Sequence, residues 1–230
     1  MGGRGGAHSN SFDAFVPSEM ALETVRLSPR VEAPGDTPRA EDAYVADVVE
    51  LLRQHRWNGA ALVGTPTHVR FPEALARIRE ALDLPVTSPL ESGVEALHAL
   101  GLRRALLLSP FASSLNESIR DYLAADGIDL VLPATHFDST DAAGRAGPEE
   151  IRALVRKELA LTTGVQAVFF QGARLDPLAA LDGLEQETGI ALVASNPAMF
   201  WHVLAMLGRQ YHIEGCGRLL REWPATGVKP

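Results

Sequence analysis

Short apolar runs along the chain alternate with longer stretches in which apolar residues recur every three to four positions. The runs have the length of buried strands and the longer stretches the period of helices lying against them, a pattern that assembles as βα units around a mainly parallel sheet. Strands are predicted at 12–16 (FDAFV), 60–64 (AALVG), 84–87, 104–108 (RALLL), 128–133, 165–170 (VQAVFF) and 190–194 (IALVA). Helices are predicted near 41–56, 71–82, 90–100, 114–126, 148–161, 177–188 and 197–209.

The pattern repeats. "GTPTHVRFPEALARIREALDLPVTSP" from Gly64 and "GARLDPLAALDGLEQETGIALVASNP" from Gly172 each run from a glycine loop through helix and strand to a polar pair and a proline. Gly64 precedes Ser88, and Gly172 precedes Asn196, by the same 24 residues. Pro89 and Pro197 then fall in the first turn of the next helix, where a missing N–H costs nothing. The predicted fold is α/β, with two pseudo-twofold-related three-layer halves, mainly parallel four-stranded sheets and a cleft between them. Residues 1–101 with the tail 212–230 form one half, and 102–211 the other.

The loops 64–68, 87–89, 172–176 and 195–197 lie at C-terminal strand ends, where open α/β sheets bind ligands. Their hydroxyls and the N–H groups at helix starts suit an anion, and a small carboxylic acid above all. Thr67, Ser88, Asp176, Ser195 and Asn196 have the competing role of helix caps. His68 titrates near neutrality and fits general acid–base work, or is a polar loop residue. Arg174 fits a two-pronged carboxylate clamp with Asp176 orienting it or taking a proton, or the two form a surface pair. His98 reads as structural, and His136 sits on a loop without an assigned role.

At 230 residues and 46% hydrophobic composition the chain can bury a sizeable core. A net charge of -8 without a basic stripe argues against nucleic acid. No run of 18 apolar residues suits a membrane span, and the N-terminal "MGGRGGAHSNS" lacks the apolar core of a signal peptide. One cysteine, Cys216, permits neither an intrachain disulfide nor a thiolate cluster, so the cytoplasm is the expected location. No G-x-G-x-x-G follows the first strand, no phosphate loop or H-E-x-x-H is present, and the histidines lack ligand spacing. Neither a cofactor nor a metal is therefore predicted. The apolar "AMFWHVLAML" suggests a homo-oligomer, a dimer first, or a helix buried between the halves.

The segments "FVPSEMALE" at 15–23, "GTPTHVRF" at 64–71, "SPFASSLNESIRDYLAADG" at 109–127, "VFFQGARLD" at 168–176, "GIALVASNPAMFWHVLAMLG" at 189–208 and "GCGRLL" at 215–220 occur in an order that resembles the aspartate/glutamate racemase superfamily. Within it the chain is most similar to the branch of arylmalonate decarboxylase and maleate cis-trans isomerase. The resemblance implies two α/β halves that act, without cofactor or metal, on small carboxylic acids at their interface. Racemases and isomerases of the family use two opposed cysteines; the decarboxylase keeps the second as proton donor and holds an enediolate with hydroxyls and backbone N–H groups. Matched residue by residue, the first cysteine falls on Gly64 and the second on Gly172. Thr65 keeps one family hydroxyl while Pro66 replaces the next, Phe111 stands for a donor tyrosine, and Met20 stands for an asparagine. Asn116, Glu117, Ser195 and Asn196 persist.

Glycine can neither attack an alkene nor return a proton, so two-thiol chemistry is excluded at these positions. The resulting expectation is a cofactor-independent lyase or isomerase that transfers protons through His68, Asp176 or Glu19. The acid would lie on Gly64, Thr65, Ser88, Phe111, Gly172, Ala173, Arg174, Ser195 and Asn196. The alternative is a non-catalytic homologue that binds a small carboxylate and has lost the chemistry.

Overall fold

Successive apolar residues of "RALLL", "AVFF" and "ALVA" point to opposite faces of one sheet, and both faces are covered. The computed structural model describes residues 12, 14–27, 37–134, 137 and 139–227. Strands β3 (Arg104–Leu108), β4 (Asp129–Val131), β5 (Ala167–Phe170) and β6 (Ala191–Ala194) form a parallel sheet in the order β4-β3-β5-β6. Leu107, Phe169 and Val193 enter one core, and Leu106, Leu108, Val168, Phe170 and Leu192 the other. This is the burial that makes parallel strands read as continuous apolar runs.

The first half differs from expectation. Among the described residues its sheet has two parallel strands, β1 (Ala60–Ala61) and β2 (Val86–Thr87), rather than four. The described residues of the segment 12–16 form no strand: the N–H groups of Phe15 and Val16 both donate to the Phe12 carbonyl, as in a helical turn. Its apolar residues serve packing directly, with Phe15 only 3% exposed and edge-on to Phe200 at 5.1 Å.

Helices follow the predicted order with shifted ends. α1 (Thr37–Gln54) precedes β1. The predicted helix 71–82 is found as α3 (Ala74–Ala81), and the predicted loop 64–68 is instead part of a short helix, α2 (Thr65–Arg70), which ends because Phe71 precedes Pro72 and is driven out of helical geometry, to φ −124 and ψ 74. α4 (Pro89–Ala99) begins with proline at its first position, capped by Ser88, whose Oγ accepts from the Glu91 N–H. α5 (Ser113–Ala125) links β3 to β4, and α6 (Thr140–Ala143) and α7 (Pro148–Leu161) precede β5. A 3-10 turn (Leu178–Ala180) leads into α8 (Leu181–Thr188), then α9 (Ser195–Met206) and α10 (Arg218–Glu222). His136 lies outside the described residues. No helix of the described residues is long and apolar enough to cross a membrane.

The halves are joined by α9. It leaves β6 without a loop and is apolar nearly all round, with nine residues from Ser195 to Leu204 buried. It packs on α4 and on both strands of the first half. Trp201 is fully buried and donates its indole N–H to the Pro224 carbonyl at 3.2 Å. One core thus contains Leu90, Val94 and Leu97 of the first half together with Leu107, Phe169 and Trp201 of the second. The tail touches both halves: Gly217 and Arg218 donate backbone N–H bonds to Asp182 and Glu185, while Gly227 reaches Glu95.

Trp201→Ala is expected to cost about 3–5 kcal/mol, because it leaves a cavity where the halves meet. Urea unfolding should register that loss as a lower midpoint with the slope retained.

Candidate functional site

The glycine at the end of each half's repeat strand turns the chain out of extended geometry: Gly64 at φ 141 and Gly172 at φ 95, both in the region that side chains avoid. Gly64 opens α2, and its carbonyl accepts from the N–H groups of Thr67 (3.1 Å) and His68 (3.2 Å). Gly172 follows β5, which carries the ladder one residue further through the Gln171 N–H to the Leu108 carbonyl at 3.0 Å. The two positions are not equivalent in space. A Cβ on Gly64 would meet Thr67 Oγ1 at 3.2 Å, whereas one on Gly172 would strike Pro110 Cδ at 2.8 Å and Phe111 Cζ at 3.2 Å. The loop that carries Phe111 therefore lies directly over Gly172. It is tied down by Ser109 Oγ donating to Asn116 Oδ1 (2.5 Å) and Asn116 Nδ2 donating to the Phe111 carbonyl (3.3 Å).

Around these glycines the polar side chains are largely committed to the protein. Thr65, 2% exposed, donates to Gln171 Oε1 at 2.8 Å. Ser88 caps α4, and Ser195 donates to the Phe170 carbonyl at 3.1 Å. Asn196 is 4% exposed at the start of α9, and Ala173 is half-buried beside Gly172.

The three proton-transfer candidates stand in different settings. Glu19 is exposed on a turn closed by Met20 N–H to the Pro17 carbonyl. Asp176 Oδ1 accepts from the Leu178 N–H at 3.0 Å, which is a capping role. Arg174 turns to Asp141 at 2.9 Å with its side chain 44% exposed, a surface ion pair rather than a clamp. His68 alone is drawn inward. Its ring stands edge-on to Tyr122 of the second half, 4.9 Å between centroids at 88°, and its Nε2 is buried without a hydrogen-bond partner. Burial pushes its pKa below the ordinary value; the Glu91 carboxylate opposes that shift and Arg79 adds to it. The imidazole is thus neutral at pH 7.

A second polar group, absent from the sequence-based set, lies at the end of β2. Arg79 holds Glu91 in a two-pronged pair at 2.6 and 2.5 Å. Thr87 Oγ1 lies 3.1 Å from Glu91 Oε2 and 2.8 Å from His202 Nδ1. A carboxylate only accepts, so Thr87 donates to Glu91 and takes the Nδ1–H of His202. That tautomer leaves His202 Nε2 as a buried acceptor, and no partner reaches it. Burial pushes the His202 pKa down to about 4. The one sequence signal for this group was a histidine inside the otherwise apolar α9. Cys216 is 6% exposed in the shared core, and burial pushes its thiol up, which makes it a packing residue. Among the described residues, no group of three or more His, Cys, Asp and Glu side chains is arranged to hold a metal ion.

The parallel four-stranded sheet and the two glycine loops are compatible with the aspartate/glutamate racemase superfamily, and similarity to known proteins places the chain there, in the branch of arylmalonate decarboxylase and maleate isomerase. The family profile described as arylmalonate decarboxylase matches residues 40–220, and the chain belongs to that family. Arylmalonate decarboxylase of Bordetella bronchiseptica is 27% identical over 196 residues, covering 81% of this chain and 82% of that protein. Maleate isomerase of Nocardia farcinica is 28% identical over 220 residues, 94% of this chain and 86% of that protein. In fold, the Nocardia farcinica maleate cis-trans isomerase bound to TRIS superposes with a TM-score of 0.76 at 21% identity, over 92% of this chain and 89% of that one. A crystal structure of arylmalonate decarboxylase gives 0.71 at 24% identity, over 79% and 84%.

Two outcomes follow from this geometry. Gly172→Cys is expected to destabilise by about 2–4 kcal/mol, from a left-handed backbone and overpacking against Pro110 and Phe111; thermal unfolding measures it. His202 has a folded pKa of about 4 against an ordinary 6.5, so the unfolded chain binds the extra proton first and stability falls as pH drops from about 6.5 to about 4. That group alone contributes about 3 kcal/mol above pH 6.5. Wild type should therefore lose about that much more than His202→Gln in urea titrations between pH 7 and 4, and parallel curves would contradict the assignment.

Proposed function

We propose that this chain is a cofactor-independent lyase or isomerase that acts on a small carboxylic acid by proton transfer without a thiol. Decarboxylation, elimination or hydration, and isomerisation share that step. The observation that carries the reading is His68: a neutral imidazole four residues beyond Gly64, desolvated against Tyr122 of the opposite half, with Nε2 free to take a proton. In this reading the carboxylate rests on N–H groups around Gly64–Thr65 and Gly172–Ala173, which hold the enediolate charge as it develops. In isomerisation His68 Nε2 takes the proton from the carbon beside the carboxylate and returns it to that or a neighbouring carbon; in decarboxylation CO2 leaves, its C–C electron pair stays on that carbon as the enediolate, and His68, once protonated, supplies the proton that quenches it. The names of the relatives, a decarboxylase and maleate isomerases, support the substrate class. One cysteine in the whole chain suits a reducing compartment, and the cytoplasm is the proposed location.

One observation favours a second reading, a carboxylate-binding homologue without chemistry. Both thiol positions are glycine, and Pro110 and Phe111 fill the space over Gly172. Incubation with malonates, maleate and 2-hydroxy acids in deuterium oxide separates the two. The enzyme reading expects deuterium incorporation or turnover in at least one acid, reduced about 100-fold or more in folded His68→Ala. Calorimetric binding with neither exchange nor turnover would establish the second reading instead.

A further inference from the structure

We propose that Gln171 is the positioning residue of the cleft, the group that fixes the spacing between the Gly64 and Gly172 loops; the assignment rests on the carboxylate reading above. Gln171 is fully buried, and its main chain is anchored to the sheet by the bond to the Leu108 carbonyl. Its side chain crosses into the first half. Nε2 donates to the Pro89 carbonyl at 3.2 Å, and Oε1 accepts the Thr65 hydroxyl proton at 2.8 Å. A carbonyl oxygen accepts only, so the Pro89 contact fixes which end of the amide faces Thr65, and Thr65 must be the donor.

One side chain thereby joins three elements at the cleft: the end of β5, the residue after Gly64, and the first residue of α4. Gly172 is the next residue in the chain. The close approach is prepared by Gly93 on α4, where a Cβ would meet the Phe169 ring at 2.4 Å and Gln171 Nε2 at 3.4 Å. In this dry setting each bond is strengthened by low polarity, and breaking either strands a buried polar atom. A ligand that spans N–H groups of both loops needs their separation fixed to a fraction of an ångström. Because the Thr65 proton is committed, Thr65 acts in this cleft through Gln171 rather than as a free donor.

Malonate is the probe, with calorimetry on the full chain. Gln171→Leu and Thr65→Val are each expected to weaken malonate about tenfold or more with circular dichroism unchanged, and the double variant to be no weaker than Gln171→Leu, since that change already removes the Thr65 bond along with the one to Pro89. Gln171→Met takes the place of the leucine variant if that chain does not fold. Additive losses, or a folded Gln171 variant that binds as tightly as wild type, would overturn the assignment. Wild type that binds no malonate would count against the carboxylate reading, and the lock is then read without ligand. Amide exchange at Gly64 and Gly172 should accelerate together, about tenfold or more, in Gln171→Leu while β3 and β5 stay protected. Acceleration at Gly172 alone would sink the proposal.

Discussion

The placing of one sheet against the other depends on a helix with almost no solvent face. α9 starts directly at the end of β6, so Ser195 and Asn196 are positioned by a strand that is fixed in the sheet. Two turns further on, Trp201 and His202 hold the helix against the tail and against Thr87 of the first half. Burying an all-apolar helix between two sheets yields the hydrophobic free energy that keeps the halves together. It also explains why that surface does not by itself call for a second copy of the chain.

With the halves fixed, the two former thiol positions acquire different characters. Gly64 keeps its turn and has only Thr67 close by, while Gly172 is roofed by Pro110 and Phe111. The two glycines therefore differ in how closely they are packed. His68, four residues beyond Gly64, is the proposed proton carrier, and burial lowers its pKa. Asp176 and Arg174, which look equally chemical in the sequence, are held by a backbone N–H and by Asp141.

Much of the fold was legible because buried parallel strands are written as short apolar runs and surface helices as periodic ones; β3, β5 and β6 and the helices between them fall where the periods place them. The run 12–16 misled because apolar residues such as Phe15 can be buried without joining a strand. The loop 64–68 hid a short helix because six residues ending before Pro72 are too few to show a helical period. Of the proposed site, the glycine loops and His68 were named from residue type and spacing. Gln171 with Thr65, and Thr87 with His202, were not, since those pairs are 106 and 115 residues apart and exist only once the halves have docked.

The central claim is that a small carboxylate sits between the Gly64 and Gly172 loops with His68 as the proton carrier. A crystal structure with malonate tests it most directly. The account predicts carboxylate oxygens within hydrogen-bond reach, about 2.7–3.2 Å, of N–H groups on those loops, and His68 Nε2 facing the central carbon. Malonate bound away from both glycines, or His68 still turned from the ligand, would contradict it.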